Sequence, residues 1–317
     1  MTEQLTMALA QINPTVGDID GNLGLIRNAR AKAADQGADL VVTGELAVSG
    51  YPPEDLVLKR AFTDTIEAGV RELAKETADG GPGLLIGAPW LDDNKLYNAA
   101  LMLDRGEITA RRYKHELPNY GVFDEKRVFA QGPPPGPVAF RRVRLGVMIC
   151  EDMWTADVAG ALAEGGAQAL VVLNGSPFDT DKWDDRMAFA ADRVAETGLG
   201  LAYVNLVGGQ DELVFDGGSF VLDGTGAVAA RAAAWEERTL LSGWTHGPDG
   251  WTPEPGVKED VAEDLENIYR ATVVGLRDYV GKNRFPGVLI GLSGGIDSAL
   301  SAAIAVDALG PDRVHCV

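Results

Sequence analysis

Cysteine is scarce in this sequence: Cys150 and Cys316 are the only two thiols in 317 residues. They lie far apart, which excludes a disulfide framework and the paired spacing of a structural zinc site. Such usage fits a reducing cytosol, and a cytoplasmic protein is expected. Histidine is equally sparse, with His115, His246 and His315 the whole supply. Basic residues are outnumbered, 28 Lys and Arg against 47 Asp and Glu, for a net charge of −19. So acidic a chain lacks the basic surface that phosphate contacts require, and no nucleic-acid partner is expected. No uninterrupted apolar run approaches the length of a membrane span, so no membrane partner is expected either. The opening "MTEQLTMALAQINP" has no basic stretch followed by a long apolar one and does not read as a signal peptide. Internal repeats and low-complexity tracts are missing.

What is present is ample core material: 46% of residues are hydrophobic and 24% charged. Apolar runs alternate with helical patterns from the start. "TMALAQI" (6–12), "DLVVTGE", "GLLIGAP", "VRLGVMIC", "ALVVLNGS" and "GLAYVNLVGG" read as strands. Helical spacing marks 22–36, 55–78, 156–164 and 182–197. "NAALMLDRGEITARRY" reads as a hairpin turning at Asp104-Arg105-Gly106, and two shorter strands flank Gly224-Thr225-Gly226. The class is α/β with antiparallel pieces, its strands apolar enough to be covered on both faces.

The Gly- and Pro-rich stretch 243–257 carries no period and reads as a linker between a unit at 1–242 and one at 258–317. The second unit opens on a helix pattern (Val261, Leu265, Ile268, Val273, Leu276, Val280) and continues as strand, glycine loop and helix, ending in what reads as a further strand. About 60 residues with one βαβ unit make a marginal domain, so the sequence is expected to stop inside a longer second domain.

The segment "RLGVMICEDMW" ends an apolar run on Cys150 and follows it at once with Glu151 and Asp152. Neighbouring carboxylates raise a thiol's pKa, the wrong direction for a nucleophile. Either Cys150 is an inert core residue, or a base and a cation reach it from elsewhere. A Cys/His pair would have to use His115, which no flanking signature supports. Glu45, closing "DLVVTGE", and Lys114, closing "ITARRYK", also sit at the C-terminal ends of apolar strands, where open α/β sheets hold their ligands.

"GELAVSGYPPEDL", "YKHELPNYGVFDEKRVF" and "GVMICEDMW" closely resemble the three signature segments of the nitrilase (carbon–nitrogen hydrolase) superfamily. "LPNYGVFDEKR" and "NLVGGQDELVFDGGS" further resemble the glutaminase domains of the glutamine-dependent NAD synthetase family, and the likeness covers most of residues 3–240. It implies a four-layer α-β-β-α sandwich with Cys150 as nucleophile, Glu45 as general base and Lys114 as oxyanion stabiliser. By the same carry-over Glu125 is a supporting glutamate, and Tyr120, Ser176, Lys182 and Arg186 contact glutamine. Asp179, Asp181 and Trp183 stand where relatives often show other residues.

The second glycine-rich segment runs through Gly291, Leu292, Ser293, Gly294, Gly295, Ile296, Asp297 and Ser298. Gly291 to Gly295 fits the G-x-S-x-G elbow of serine hydrolases, but that fold needs a later acid and histidine, and only His315 follows. The run Ser293 to Ser298 instead resembles the PP-loop of ATP pyrophosphatases, whose backbone N–H groups close around pyrophosphate at a helix N-terminus. It is no Walker loop, since Gly-Lys-Ser/Thr is missing. This resemblance implies the start of a doubly wound domain, ATP as co-substrate, and Mg²⁺ near Asp297. Together the two resemblances imply glutamine, ATP and deamido-NAD as substrates of a homo-oligomeric enzyme, with this stretch competent for the glutaminase step alone. A stand-alone amidase, and an assembly domain with a decayed site, are the rival readings.

Overall fold

A computed structural model describes residues 3–248 and 250–317. The strands are β1 (Glu3–Gln11), β2 (Leu40–Thr43), β3 (Gly83–Asp92), β4 (Lys95–Asp104), β5 (Glu107–Tyr113), β6 (Val138–Phe140), β7 (Val143–Ile149), β8 (Ala169–Asn174) and β9 (Leu201–Asn205). They continue as β10 (Val207–Gln210), β11 (Leu213–Asp216), β12 (Phe220–Leu222), β13 (Val228–Arg231), β14 (Arg238–Gly247), β15 (Gly250–Pro253), β16 (Val288–Ile290) and β17 (Val314–Cys316). The helices are α1 (Ile19–Asp35), α2 (Arg60–Glu76), α3 (Glu125–Val128), α4 (Ala156–Glu164), α5 (Lys182–Thr197), α6 (Asp264–Lys282) and α7 (Ile296–Leu309).

Two sheets dominate, a seven-stranded one in the order β15-β14-β1-β2-β3-β4-β5 and a six-stranded one in the order β13-β12-β9-β8-β7-β6. Their centres are parallel (β1-β2-β3 and β7-β8-β9) and their flanks antiparallel. Strand alternation creates three apolar layers. On β1, Ala8 and Ala10 meet Ile26 and Ala33 of α1 and Val70 of α2, while Met7 and Leu9 meet Val147, Val171 and Val204 of the other sheet. On β7, Met148 turns outward to Leu162 of α4 and Val194 of α5. The succession helix, sheet, sheet, helix is the four-layer sandwich expected.

The stretch expected to be a linker differs. Residues up to Gly247 complete β14, which pairs with β1 along its whole length from Glu3↔His246 to Gln11↔Arg238. Gly250–Pro253 then adds the edge strand β15. Leu240, Ser242 and Trp244 alternate inward, and Trp244 with Trp251 fills the layer between the sheets. Glycine and proline suggested loop, but burial of two indoles outweighs that local preference. Asp249, inside the same stretch, lies outside the described residues.

Beyond Pro253 the long helix forms as expected, but only the later part of its apolar stripe docks. Leu265 is 82% exposed and Ile268 41%, whereas Val274, Asp278 and Val280 are buried. The grip is largely polar. Asp278 accepts from Asn13 Nδ2 (2.8 Å) and Gly209 N (2.7 Å), and Lys282 donates to the Pro14 carbonyl (2.8 Å). Desolvation there lowers the Lys282 ammonium to about 8. After α6 the parallel pair β16-β17 brackets α7, giving the expected βαβ unit.

Candidate active site

Glu45, Lys114 and Cys150 come together at the C-terminal ends of β2, β5 and β7, where the two sheets face each other. Glu45 and Lys114 are fully buried and Cys150 is 6% exposed. The Lys114 ammonium bridges two carboxylates, with Nζ 2.7 Å from Glu45 Oε1 and 2.8 Å from Glu125 Oε1. Burial by itself would lower this lysine, but Glu125 and Glu45 outweigh it and hold its pKa well above the ordinary value.

Each carboxylate has further partners. Glu45 Oε1 also accepts from Asn98 Nδ2 (2.7 Å), and Oε2 from Gly175 N (3.0 Å). Gly175 is needed there: a Cβ would stand 3.0 Å from the Tyr51 ring and 3.3 Å from Glu45 Oε2. Glu125 accepts from the Tyr51 hydroxyl (3.0 Å). Tyr51 and Asn98 escape a reading of the sequence, since each looks like an ordinary polar residue beside an apolar run. A polar side chain in the middle of β4 was the available signal for Asn98.

Cys150 opens a short 3-10 turn (Cys150–Met153) and adopts φ +47°, an uncommon conformation for a residue with a Cβ. Such residues cost of order 1–3 kcal/mol and cluster at functional sites. Burial, then the Glu45 charge, pushes the thiol pKa well up, with Lys114 opposing. The thiol is therefore neutral at neutral pH and needs a base in reach, the condition its acidic flanks foreshadowed. His115 turns its Nδ1 to the Gly132 carbonyl (2.7 Å) and its Nε2 toward Glu116 Oε1 (3.9 Å).

Burial raises Glu125 to about 7, with Lys114 pulling the other way. A carboxyl whose folded pKa is raised contributes stability below its unfolded value and loses it as pH rises through the folded one. Glu125→Gln should therefore remove a stability loss on the order of a few kcal/mol between pH 4.5 and about 7, read from urea unfolding across that range.

Around the thiol stand the residues expected to hold a ligand. The Tyr120 hydroxyl donates to Glu151 Oε2 (2.8 Å), and Tyr120 is 48% exposed. Lys182, at the start of α5, sets its Nζ 4.2 Å from the centre of the Trp154 ring. Desolvation lowers its pKa. Ser176 is buried on the loop between β8 and α5.

Arg186 departs from expectation. Nη1 donates to both oxygens of Asp216 (2.8 and 2.7 Å), Nε to Ser176 Oγ (3.1 Å), and Nη2 to the Ser176 and Pro177 carbonyls (2.8 Å each). All three guanidinium nitrogens are thus engaged, and Arg186 acts as a brace under Ser176. Arg186→Ala should strand Asp216 as an unpaired buried charge, costing about 3–5 kcal/mol by urea unfolding, and should weaken ligand binding through Ser176.

The glycine loop lies apart from this cluster. Gly294 has φ +82°, Gly295 caps α7, and nothing stands within 4 Å of where a Gly294 Cβ would be. Ser293 Oγ lies 3.1 Å from Ser298 Oγ, and Ser298 Oγ donates to the Gly295 carbonyl (3.0 Å). Strand, glycine turn and helix N-terminus follow in the order a phosphate-binding loop requires.

A family model for carbon–nitrogen hydrolase matches residues 6–243. This chain belongs to the carbon–nitrogen hydrolase family. A second model, NAD synthase, matches residues 268–317, beyond the hydrolase fold. The glutamine-dependent NAD(+) synthetase of Rhodobacter capsulatus is 47% identical over 317 residues, covering 100% of this chain and 57% of that protein. That of Xanthomonas campestris pv. campestris (strain 8004) is 43% identical, covering 99% and 57%. The chain thus spans 57% of the length of these curated relatives. Among solved structures, a glutamine-dependent NAD+ synthetase from Acinetobacter baumannii in complex with adenosine diphosphate aligns with a TM-score of 0.94 at 35% identity, covering 99% of this chain and 59% of that one. A variant amidase from Nesterenkonia sp. AN1, showing Michael addition of acrylamide at its active-site cysteine, aligns at 0.67 with 29% identity, covering 75% of this hydrolase chain and 92% of that chain.

Proposed function

We propose that this carbon–nitrogen hydrolase releases ammonia from glutamine for an ATP-dependent synthase that converts deamido-NAD to NAD. The observation carrying the reading is the ammonium of Lys114 held between two buried carboxylates beside a neutral thiol. Glu45 takes the Cys150 proton as the sulfur attacks the side-chain amide carbon of glutamine. The Lys114 ammonium balances the negative charge developing on the amide oxygen. Glu125 shares that ammonium with Glu45 and keeps it in place. Glu45 hands the proton to the departing ammonia, leaving a thioester, and then activates the water that cleaves it to glutamate. Tyr120, Ser176 and Lys182 hold the substrate.

The amino-acid end of glutamine suits this wall, where the Lys182 ammonium can meet the α-carboxylate. A simple amide would leave these groups unused, which disfavours a stand-alone amidase, as does the synthase match that follows. Residues 258–317 belong to the synthase domain, and β14 and β15 carry the hydrolase sheet past residue 242. The loop Ser293–Ser298 is open and Gly-lined, a fit for the pyrophosphate of ATP. Mg²⁺ bound near the exposed Asp297 would offset phosphate charge. The complete enzyme would adenylate the deamido-NAD carboxyl with loss of pyrophosphate, and ammonia would then displace AMP. A cytoplasmic location fits these substrates.

The test is mass spectrometry of the intact chain with a glutamine analogue bearing an electrophile in place of the amide. A single adduct at Cys150, blocked by glutamine but not by acetamide, is expected. An adduct that acetamide blocks equally well favours the amidase reading, and no adduct overturns the hydrolase assignment.

A further inference from the structure

We infer that Asp152 is a positioning residue that fixes Lys114 against Cys150 by tying together the two sheets that carry them. Lys114 ends β5 of the seven-stranded sheet, and Cys150 follows β7 of the six-stranded one. The apolar layer between those sheets is non-directional and sets their register only loosely. Asp152 supplies direction. Its Oδ1 accepts from His115 N (2.9 Å) and Glu116 N (2.8 Å), the two residues after Lys114. Its Oδ2 accepts from Ile149 N (3.0 Å), the residue before Cys150, and from Arg112 Nη2 (3.1 Å). Arg112, two residues before Lys114, also donates from Nε to the Val147 carbonyl of β7 (3.0 Å). Oδ1 thus holds the segment just after Lys114, and Oδ2 joins Arg112 of the lysine strand to Ile149 before Cys150, on a side chain with no exposure to solvent.

Glu45 has its own crosslinks to the second sheet, through Glu45 N to the Asn174 carbonyl (3.1 Å) and Gly175 N to its carboxylate. Lys114 and its neighbours reach the cysteine turn through Asp152 and Arg112. Asparagine at 152 would present one oxygen and an NH₂ group to four N–H donors, so one pair must be lost. The ammonium, still held by Glu45 and Glu125, would then sit farther from the sulfur.

The functional reading above is needed for only one arm of the test. In Asp152→Asn, iodoacetamide alkylation of Cys150 is followed against pH, alongside kcat and KM for glutamate release. The displaced ammonium should move the alkylation midpoint upward by about half a pH unit or more, outweighing the opposite pull of removing the Asp152 charge. It should also lower kcat about 10- to 100-fold with KM changed less than about threefold. If that variant does not fold, Arg112→Lys carries the test: it loses the bond to Val147, and the same shifts are expected, smaller. A folded Asp152→Asn or Arg112→Lys with wild-type alkylation profile and kcat overturns the inference, and so does a change confined to KM. A wild type that alkylates at Cys150 but releases no glutamate tells against the functional reading alone, and the alkylation arm still decides the clamp.

Discussion

Cys150→Ala should reduce glutamate release from glutamine at least about a thousandfold while leaving the fold intact. The substitution removes one sulfur at the mouth of the site and touches neither ion pair of Lys114. Alanine can take up the turn at φ +47° at about the same backbone cost as cysteine. Glu45 and Lys114 would still bind a proton and an oxyanion, but with no atom to form the thioester they have nothing to assist. Joined to a complete synthase domain, the same variant should keep NAD formation from free ammonia, because ammonia enters after the thioester step. The paired measurement is glutamate release and ammonia-supported NAD formation on one preparation. Loss of both would make Cys150 a structural residue; retention of both would dismiss it as the nucleophile.

Lys114→Met should damage stability and activity together. Lys114 is the cation between Glu45 and Glu125, and all three are buried. Without it two neighbouring carboxylates share a dry site, and one must take a proton or drive the site open. The expected cost is about 3–5 kcal/mol, read from urea unfolding. It should grow as pH rises, because the surviving carboxyls would have folded pKa values above their unfolded ones, and such groups lose their stabilising contribution as pH climbs through the folded value. Glutamate release should fall at least about a thousandfold, since the oxyanion loses its positive partner. Adding Glu125→Gln should recover part of the stability and none of the turnover. A single variant as stable at pH 8 as the wild type would show that the three charges do not form one unit.

The strands and helices of the hydrolase fold were legible in the sequence because period-2 and period-3.6 patterns report directly on burial, while its four layers followed from the family resemblance. Ala8 and Ala10 against Met7 and Leu9 already separate two faces of one strand. The linker expected at 243–257 shows the limit of such patterns: glycine and proline there are local signals, while the strand depends on pairing with β1, more than two hundred residues away. The polar grip on α6 was likewise invisible, being set by Asn13 and Pro14 on a distant loop and by Gly209 of β10.

At the site, the sequence by itself made Glu45, Lys114 and Cys150 candidates, since each follows a strand, and their roles came with the family resemblance; β5 is largely exposed and pairs antiparallel with β4, so no rule for buried parallel strands brings Lys114 to the other two. Tertiary structure alone decided the rest: that one ammonium spans Glu45 and Glu125, that Tyr51, Asn98 and Gly175 fill their remaining valences, and that Arg186 turns all three guanidinium nitrogens to Asp216, Ser176 and Pro177. Hydrogen-bond partners of buried charges are fixed by distances of about 3 Å between segments tens to hundreds of residues apart. No local pattern encodes such distances.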